Sequence, residues 1–232
     1  MGLDPLLVHQ PPSRQATFFE LPWTLMAKSQ ALLDRWDTLK QGERTEAIRA
    51  GAAAVALLIL TRVAPIRIGN PAAISFRGKS RWLSEPAKGQ LALLVIPARH
   101  VKNRKEIRAH LQDAGRRDSW GVIKWYLETI RPRMIEGLRG APSKASEDAL
   151  FPGEKGSVGG DALRSWIMVE TALAGFPIRP HQVRYAIASI LINRHPDKIT
   201  LIAAILGDTV ATVERVYAWL ELPSTEAVEF SV

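Results

Sequence analysis

Apolar residues first recur at helical spacing near Pro22, through LMAKSQALLDRW, and again from about 44 to 62. Within the second stretch, residues 52–60 are apolar without interruption, which predicts a helix buried on all sides at the centre of a core. That run is far short of a membrane span and is followed by Arg62. Pro65 ends it, and IRIGNPAAI predicts a short turn-and-helix segment limited by Pro71. Ahead of these helices, residues 1–20 carry Pro5, Pro11 and Pro12 and read as an irregular arm. ISFRG, RWLSE, LALLVIPA and EIRAHL alternate or run apolar between turn residues and predict a small antiparallel sheet. The last two flank RHVKNRK, a polar hairpin-like connection. SWGVIKWYLETIRPRMIEGL returns to helical spacing with Pro132 as a kink, and 140–157 reads as a loop rich in Gly, Pro, Ser and charge. Three helices follow at about 160–174, 180–194 and 197–206, with a fourth carrying Tyr217. The pattern predicts a mainly α protein with a small antiparallel β-sheet, an α+β fold. The loop at 140–157 is a surface excursion within one domain, since the helices after it are too few to form a core alone.

Composition narrows the functional classes. A chain of 232 residues with 47% apolar content and near-zero mean hydropathy can bury a sizeable core and reads as soluble and globular. The absence of cysteine excludes disulfides, zinc–thiolate sites and thiol catalysis. The start, MGLDPLLVHQPPS, lacks a signal-peptide pattern, so cytoplasmic residence without membrane association is the expectation. The net charge of +8 favours a polyanionic partner, and its distribution sharpens that. Residues 99–133 hold ten Lys/Arg against four Asp/Glu, and residues 62–88 hold six basic residues against Glu85 alone. The tail after Leu220 carries Glu221, Glu226 and Glu229 and no basic residue. A basic middle with an acidic tail fits one surface facing DNA and a tail directed elsewhere.

The candidate chemistry is concentrated near the end of the chain. RPHQVRYAIASILINRH places His181 and Arg184 three residues apart, on one helical face. Leu206-Gly207-Asp208 lies downstream, and Tyr217 follows ten residues after Gly207. Histidine, arginine and tyrosine converging on one point suit attack on a phosphate. Tyrosine, with a reference pKa of about 10, needs help to lose its proton. Two guanidiniums can hold the non-bridging oxygens on which charge develops. Each residue alone has an ordinary reading: a core aromatic, a helix-end histidine, a surface ion pair, a solvated turn. Gly153-Glu154-Lys155-Gly156-Ser157 lacks the spacing and preceding strand of a phosphate loop.

Taken together, the motifs resemble those of the catalytic domain of tyrosine recombinases, the phage-integrase family. Its hallmarks there are His-x-x-Arg, Leu-Gly-His and a nucleophilic tyrosine. The resemblance covers roughly 21–222. ALLILTRVAPIRIGNPAAI looks like its first-arginine motif, making Arg67 the first arginine, with Asn70 in place of a frequent Glu. IPARHVKNRKEIRAHL resembles the hairpin carrying its lysine, with Lys102 at the matching position and Lys105 a weaker candidate. DALFPG matches the Leu-Phe-Pro segment found before His-x-x-Arg.

The resemblance implies the fold of the DNA breaking-rejoining enzymes and strand exchange through a 3′-phosphotyrosine on Tyr217. Arg67 and Arg184 would hold the phosphate, Lys102 would protonate the leaving 5′ oxygen, and His181 would assist the nucleophile or bind the phosphate. No metal or other cofactor is implied, because the phosphotyrosyl bond conserves the energy for rejoining. The partners implied are double-stranded DNA and further copies of the chain, monomeric in solution and tetrameric on DNA. Residues 21–222 would then be a catalytic domain without the usual N-terminal DNA clamp, and 223–232 a tail that packs on its own domain or passes to a neighbour. Asp208 stands where the family has its second histidine. An ionised aspartate cannot donate to a phosphate. It either orients His181 or an arginine, is a variation compatible with activity, or lowers cleavage. A DNA-binding or accessory protein with impaired catalysis is the alternative function. A helix-turn-helix module is a third, though ASILINRH offers few base-reading side chains.

Overall fold

The computed structural model describes residues 12–63, 65–101, 104–111, 113, 117–206 and 208–217, with side chains placed between 14 and 214. Helix α1 (Pro12–Leu33) pairs with α2 (Gln41–Leu58), which runs on as a π-helical turn at Ile59–Val63. From Ala50 to Leu60 every residue of this segment is buried, as its unbroken apolar run requires. Small side chains permit close approach: a Cβ at Gly51 would lie 2.6 Å from Ile130 of α4 (Ser119–Glu136). Helix α6 (Gly160–Leu173) packs on the same central helix, with the short α3 (Gly69–Ala72) against it.

The irregular arm expected over residues 1–20 does not extend to residues 12–20. Residues 12–20 are helical, because Phe18 and Leu21 bury themselves in the core beside Leu25. Pro12 occupies the first helical position, where its missing N–H is no loss. Pro22 sits inside α1, so packing of that apolar face outweighs one absent ladder hydrogen bond. Residues 1–11 lie outside the described part of the chain.

The sheet has three antiparallel strands in order, β1 (Leu83–Ser84), β2 (Leu93–Ile96) and β3 (Ile107–His110). ISFRG is not one of them; Ser75 makes only an isolated bridge to Ala149. The segment at 140–157 is also more ordered than its composition suggested. It holds α5 (Lys144–Asp148) and a two-stranded ladder, β4 (Pro152–Gly153) with β5 (Gly156–Ser157). Its backbone carbonyls find donors in the core. Buried Arg131 donates from Nε to Ala149 O at 3.0 Å and from Nη2 to Glu147 O, and Tyr126 Oη donates to Leu150 O at 3.0 Å. Pairing of this kind removes the desolvation cost that would otherwise keep such a segment outside.

A second buried charge joins three helices. Glu170 of α6 is fully buried and accepts from Lys28 of α1 at 2.8 Å and from Arg49 of α2. The chain ends its described part with α7 (Pro180–Arg194), α8 (Ile199–Leu206) and α9 (Val210–Tyr217). Ala188, Ile202, Ala203, Leu206 and Val213 form a small core of their own among these three helices. Among the described residues, no helix is long and apolar enough to cross a membrane.

Candidate phosphate-binding site

Arg184 is the hinge of the site. It lies on α7, whose buried residues Val183, Ala186, Ile187 and Ile190 draw that side of the helix into the protein. Its side chain is about 10% exposed. A guanidinium placed there needs partners for donors that cannot be deprotonated. Nη1 donates to Pro65 O at 3.0 Å and also to Leu206 O, and Nη2 donates to the Asp208 carboxylate. Leu206 ends α8, so its carbonyl is one that the helix itself leaves unpaired. One side chain thus ties together the segment after α2, the middle of the last three helices and the turn after α8.

Asp208 is as buried as its partner and faces a second cation. Its Oδ1 lies 3.6 Å from Nη2 of Arg67, whose side chain is about half exposed. Arg67 is placed by the Pro65 segment that follows the π-helical turn, and its carbonyl accepts from Asn70 N at 2.8 Å. The carboxylate therefore bridges the two arginines. Among the groups expected near Asp208, the carboxylate meets the two arginines, Arg184 and Arg67.

Arg67, His181, Arg184 and Asp208 line one cavity of about 310 Å³, with Tyr185 and Val213. His181 is exposed in the first turn of α7 and its ring meets that of Tyr185 edge-on, with centroids 6.2 Å apart. Partial burial, then the nearby Arg179 and Arg164 guanidiniums, hold the His181 imidazole below its ordinary pKa. That shift favours the neutral ring, which can take up a proton. Helix α9 forms one wall through Thr212 and Val213, and Tyr217 is its last residue, one turn beyond Val213. The side chain of Tyr217 lies outside what is described, as do Lys102 and residues 218–232. Lys105 is on the connection between β2 and β3, beside Arg104, whose φ of 56° puts it in the left-handed region.

Sequence reading missed three neighbours of this site. Tyr185 and Arg179 both stand within RPHQVRY, so their nearness to His181 was available from helical spacing alone. Arg164 was not, because only the packing of α6 brings it to α7.

No family model matches the chain, and no curated protein is similar to it by sequence. Solved structures do match. The XerH site-specific recombinase bound to its difH substrate, in a pre-cleavage complex, superposes with a TM-score of 0.54 at 15% identity, covering 87% of this chain and 51% of that one. The same recombinase on a palindromic difH substrate, in a post-cleavage complex, gives 0.53 at 14% identity over 88% of this chain and 51% of that one. The chain spans about half the length of these recombinases. Their fold is the mainly helical one with a small antiparallel sheet expected from the resemblance to tyrosine recombinases.

Proposed function

We propose that this chain is the catalytic domain of a tyrosine-type site-specific DNA recombinase. The observation that carries the reading is the convergence of Arg67, His181 and Arg184, from distant parts of the sequence, on one cavity walled by the helix that bears Tyr217. Two guanidiniums held in a fixed relation by one carboxylate suit the non-bridging oxygens of a phosphodiester. Tyr217 attacks the phosphorus, its proton passing to neutral His181, and the bond to the 5′ oxygen breaks. Lys102 supplies the proton to that leaving oxygen. The resulting 3′-phosphotyrosine is reversed by a 5′ hydroxyl from the partner strand. Residues 21–222 form this domain; double-stranded DNA is the substrate, and tetramers assemble on it from monomers.

One observation favours a second reading, a DNA-binding or accessory protein with reduced cleavage. Asp208 neutralises one of the two charges that would otherwise face the phosphate. A nicked suicide duplex separates the two. The enzymatic reading expects a covalent protein–DNA adduct that is lost in Tyr217→Phe and kept in Tyr185→Phe. Absence of an adduct across a library of candidate sites, with DNA binding intact, would leave the accessory reading standing.

A further inference from the structure

A second cavity adjoins the first, is larger and is more basic. It encloses about 540 Å³ and shares Arg67, His181 and Arg184 with its neighbour, to which it adds Arg164 from α6 and Arg179 from the start of α7. The remaining lining is apolar, with Ile66, Ile68 and Met168 among it, and no carboxylate contributes among the described residues. The contrast with the first cavity is one of charge. There, Asp208 offsets one of two arginines. Here, Arg164 and Arg179 add two further positive charges, and Arg164 pairs with Asp161 at 3.1 Å. Asp161 is 92% exposed, so that pair is a hydrated surface contact which contributes little and yields easily. The field of the two arginines is felt by His181, whose protonated form they disfavour. Asp208 compensates only the two arginines shared with the first cavity, so the excess of cations on this apolar-walled one favours an anion.

We infer that Arg164 and Arg179 form a second phosphate subsite, which holds a phosphodiester neighbouring the one at Arg67 and Arg184 on the same DNA strand. The assignment rests on reading the Arg67–Arg184 cavity as the seat of a strand phosphate. Two contiguous cavities sharing one rim are what a polyanion with regularly spaced charges would occupy, whereas a single small anion needs only one. The subsite supplies affinity from the phosphate backbone and carries no base readout. It places positive charge beside the first cavity, whose own charge Asp208 reduces. It also sets strand register, because a phosphate held beside His181 fixes which phosphodiester reaches Arg184.

The test uses the whole chain and a fluorescent generic DNA duplex, with binding followed by anisotropy over a range of salt. Removing one phosphate-binding charge should reduce the slope of log K against log salt by about 0.9. Arg164→Gln with Arg179→Gln should therefore reduce it by roughly two, and the Lys pair should restore most of it. Both side chains are solvent-accessible, and thermal unfolding of the Gln pair should match the wild type. A second readout is the His181 ring resonance in the wild type and the Gln pair. Inorganic phosphate should raise its titration midpoint in the wild type, and the rise should be smaller in the Gln pair. An unchanged slope in a folded Gln pair overturns the subsite, and the primary reading survives if Arg67→Gln still lowers the slope. A wild-type chain that shows no salt-dependent duplex binding overturns both.

Discussion

Replacement of Asp208 isolates what its carboxylate does. In the native chain it is about 10% exposed, pairs with an equally buried Arg184, and lies 3.6 Å from the half-exposed Arg67. Removing one member of a buried pair costs about 3–5 kcal/mol. Arg184 keeps the carbonyls of Pro65 and Leu206, which places Asp208→Ala at the lower end. At roughly 2–4 °C per kcal/mol for a chain of this size, a loss of about 3 kcal/mol lowers Tm by roughly 6–12 °C. Asp208→Asn keeps an acceptor for Arg184 and should lose about half as much.

DNA affinity should move the other way. With the carboxylate ionised, Arg67, Arg184 and Asp208 sum to one positive charge; with Asn they sum to two. A phosphate on the same guanidiniums would meet the carboxylate at about 5–6 Å, a repulsion of roughly 3 kcal/mol at an effective dielectric of about 20. Salt and the exposed Arg67 face screen part of that, leaving an expected gain of about 1.4 kcal/mol, or tenfold tighter binding. Calorimetry or denaturant unfolding reads the first effect, and anisotropy with a generic duplex at fixed salt reads the second. A folded Asp208→Asn that binds DNA no better than the native chain would refute the claim that this carboxylate competes with phosphate. Asp208→His completes the series: it should destabilise like Ala and bring no gain in cleavage, because Arg184 loses its buried counter-ion. A large gain would show that the carboxylate does not position the arginines.

Other outcomes follow from the same contacts. Arg184→Lys should lose DNA cleavage and about 2–3 kcal/mol of stability, since an ammonium cannot span two carbonyls and a carboxylate with a planar fork; native-like activity in single-turnover assays would contradict this. His181 should titrate below its ordinary value of 6.5, and Arg179→Gln should move the midpoint upward by removing a facing positive charge. Because the fold depresses this pKa, the matching stability is present above the unfolded value and is lost as pH falls through the folded one. A ring-proton titration that does not respond to Arg179→Gln would remove that cause. Glu170→Gln should cost about 3 kcal/mol by leaving Lys28 and Arg49 without their buried carboxylate. Those two side chains remain 28% and 25% exposed and can rehydrate, so chemical denaturation should show partial destabilisation and not failure to fold.

Local periodicity carried much of this chain. The 180–194 helix was legible because Pro180 marks its first position and apolar residues recur behind it, and α7 has those same limits. The central helix was legible because an unbroken apolar run can exist in water only if surrounded. His181 and Arg184 were readable as one face for the same reason, a spacing of three within a single helix. Over residues 12–20 the arm reading failed because a proline such as Pro12 describes only what a segment disfavours locally. Whether Phe18 and Leu21 find a core depends on α2 and Phe176, far along the chain. The ordered segment at 140–157 likewise owes its carbonyl partners to Tyr126 and Arg131 on another helix.

What the sequence by itself determined was the inventory: the long helices around the central one, which residue types stand at which spacings, and that an aspartate replaces an expected histidine. What only the tertiary structure decided was pairing. Arg67 and Asp208 are 141 residues apart, and nothing local says that one carboxylate will lie against two arginines. Nor does helical spacing bring Arg164 of α6 to the side of Arg179. Propensity and periodicity act over a few residues, whereas the partner of a buried charge is chosen by how whole elements pack, and that choice set the charge of this site.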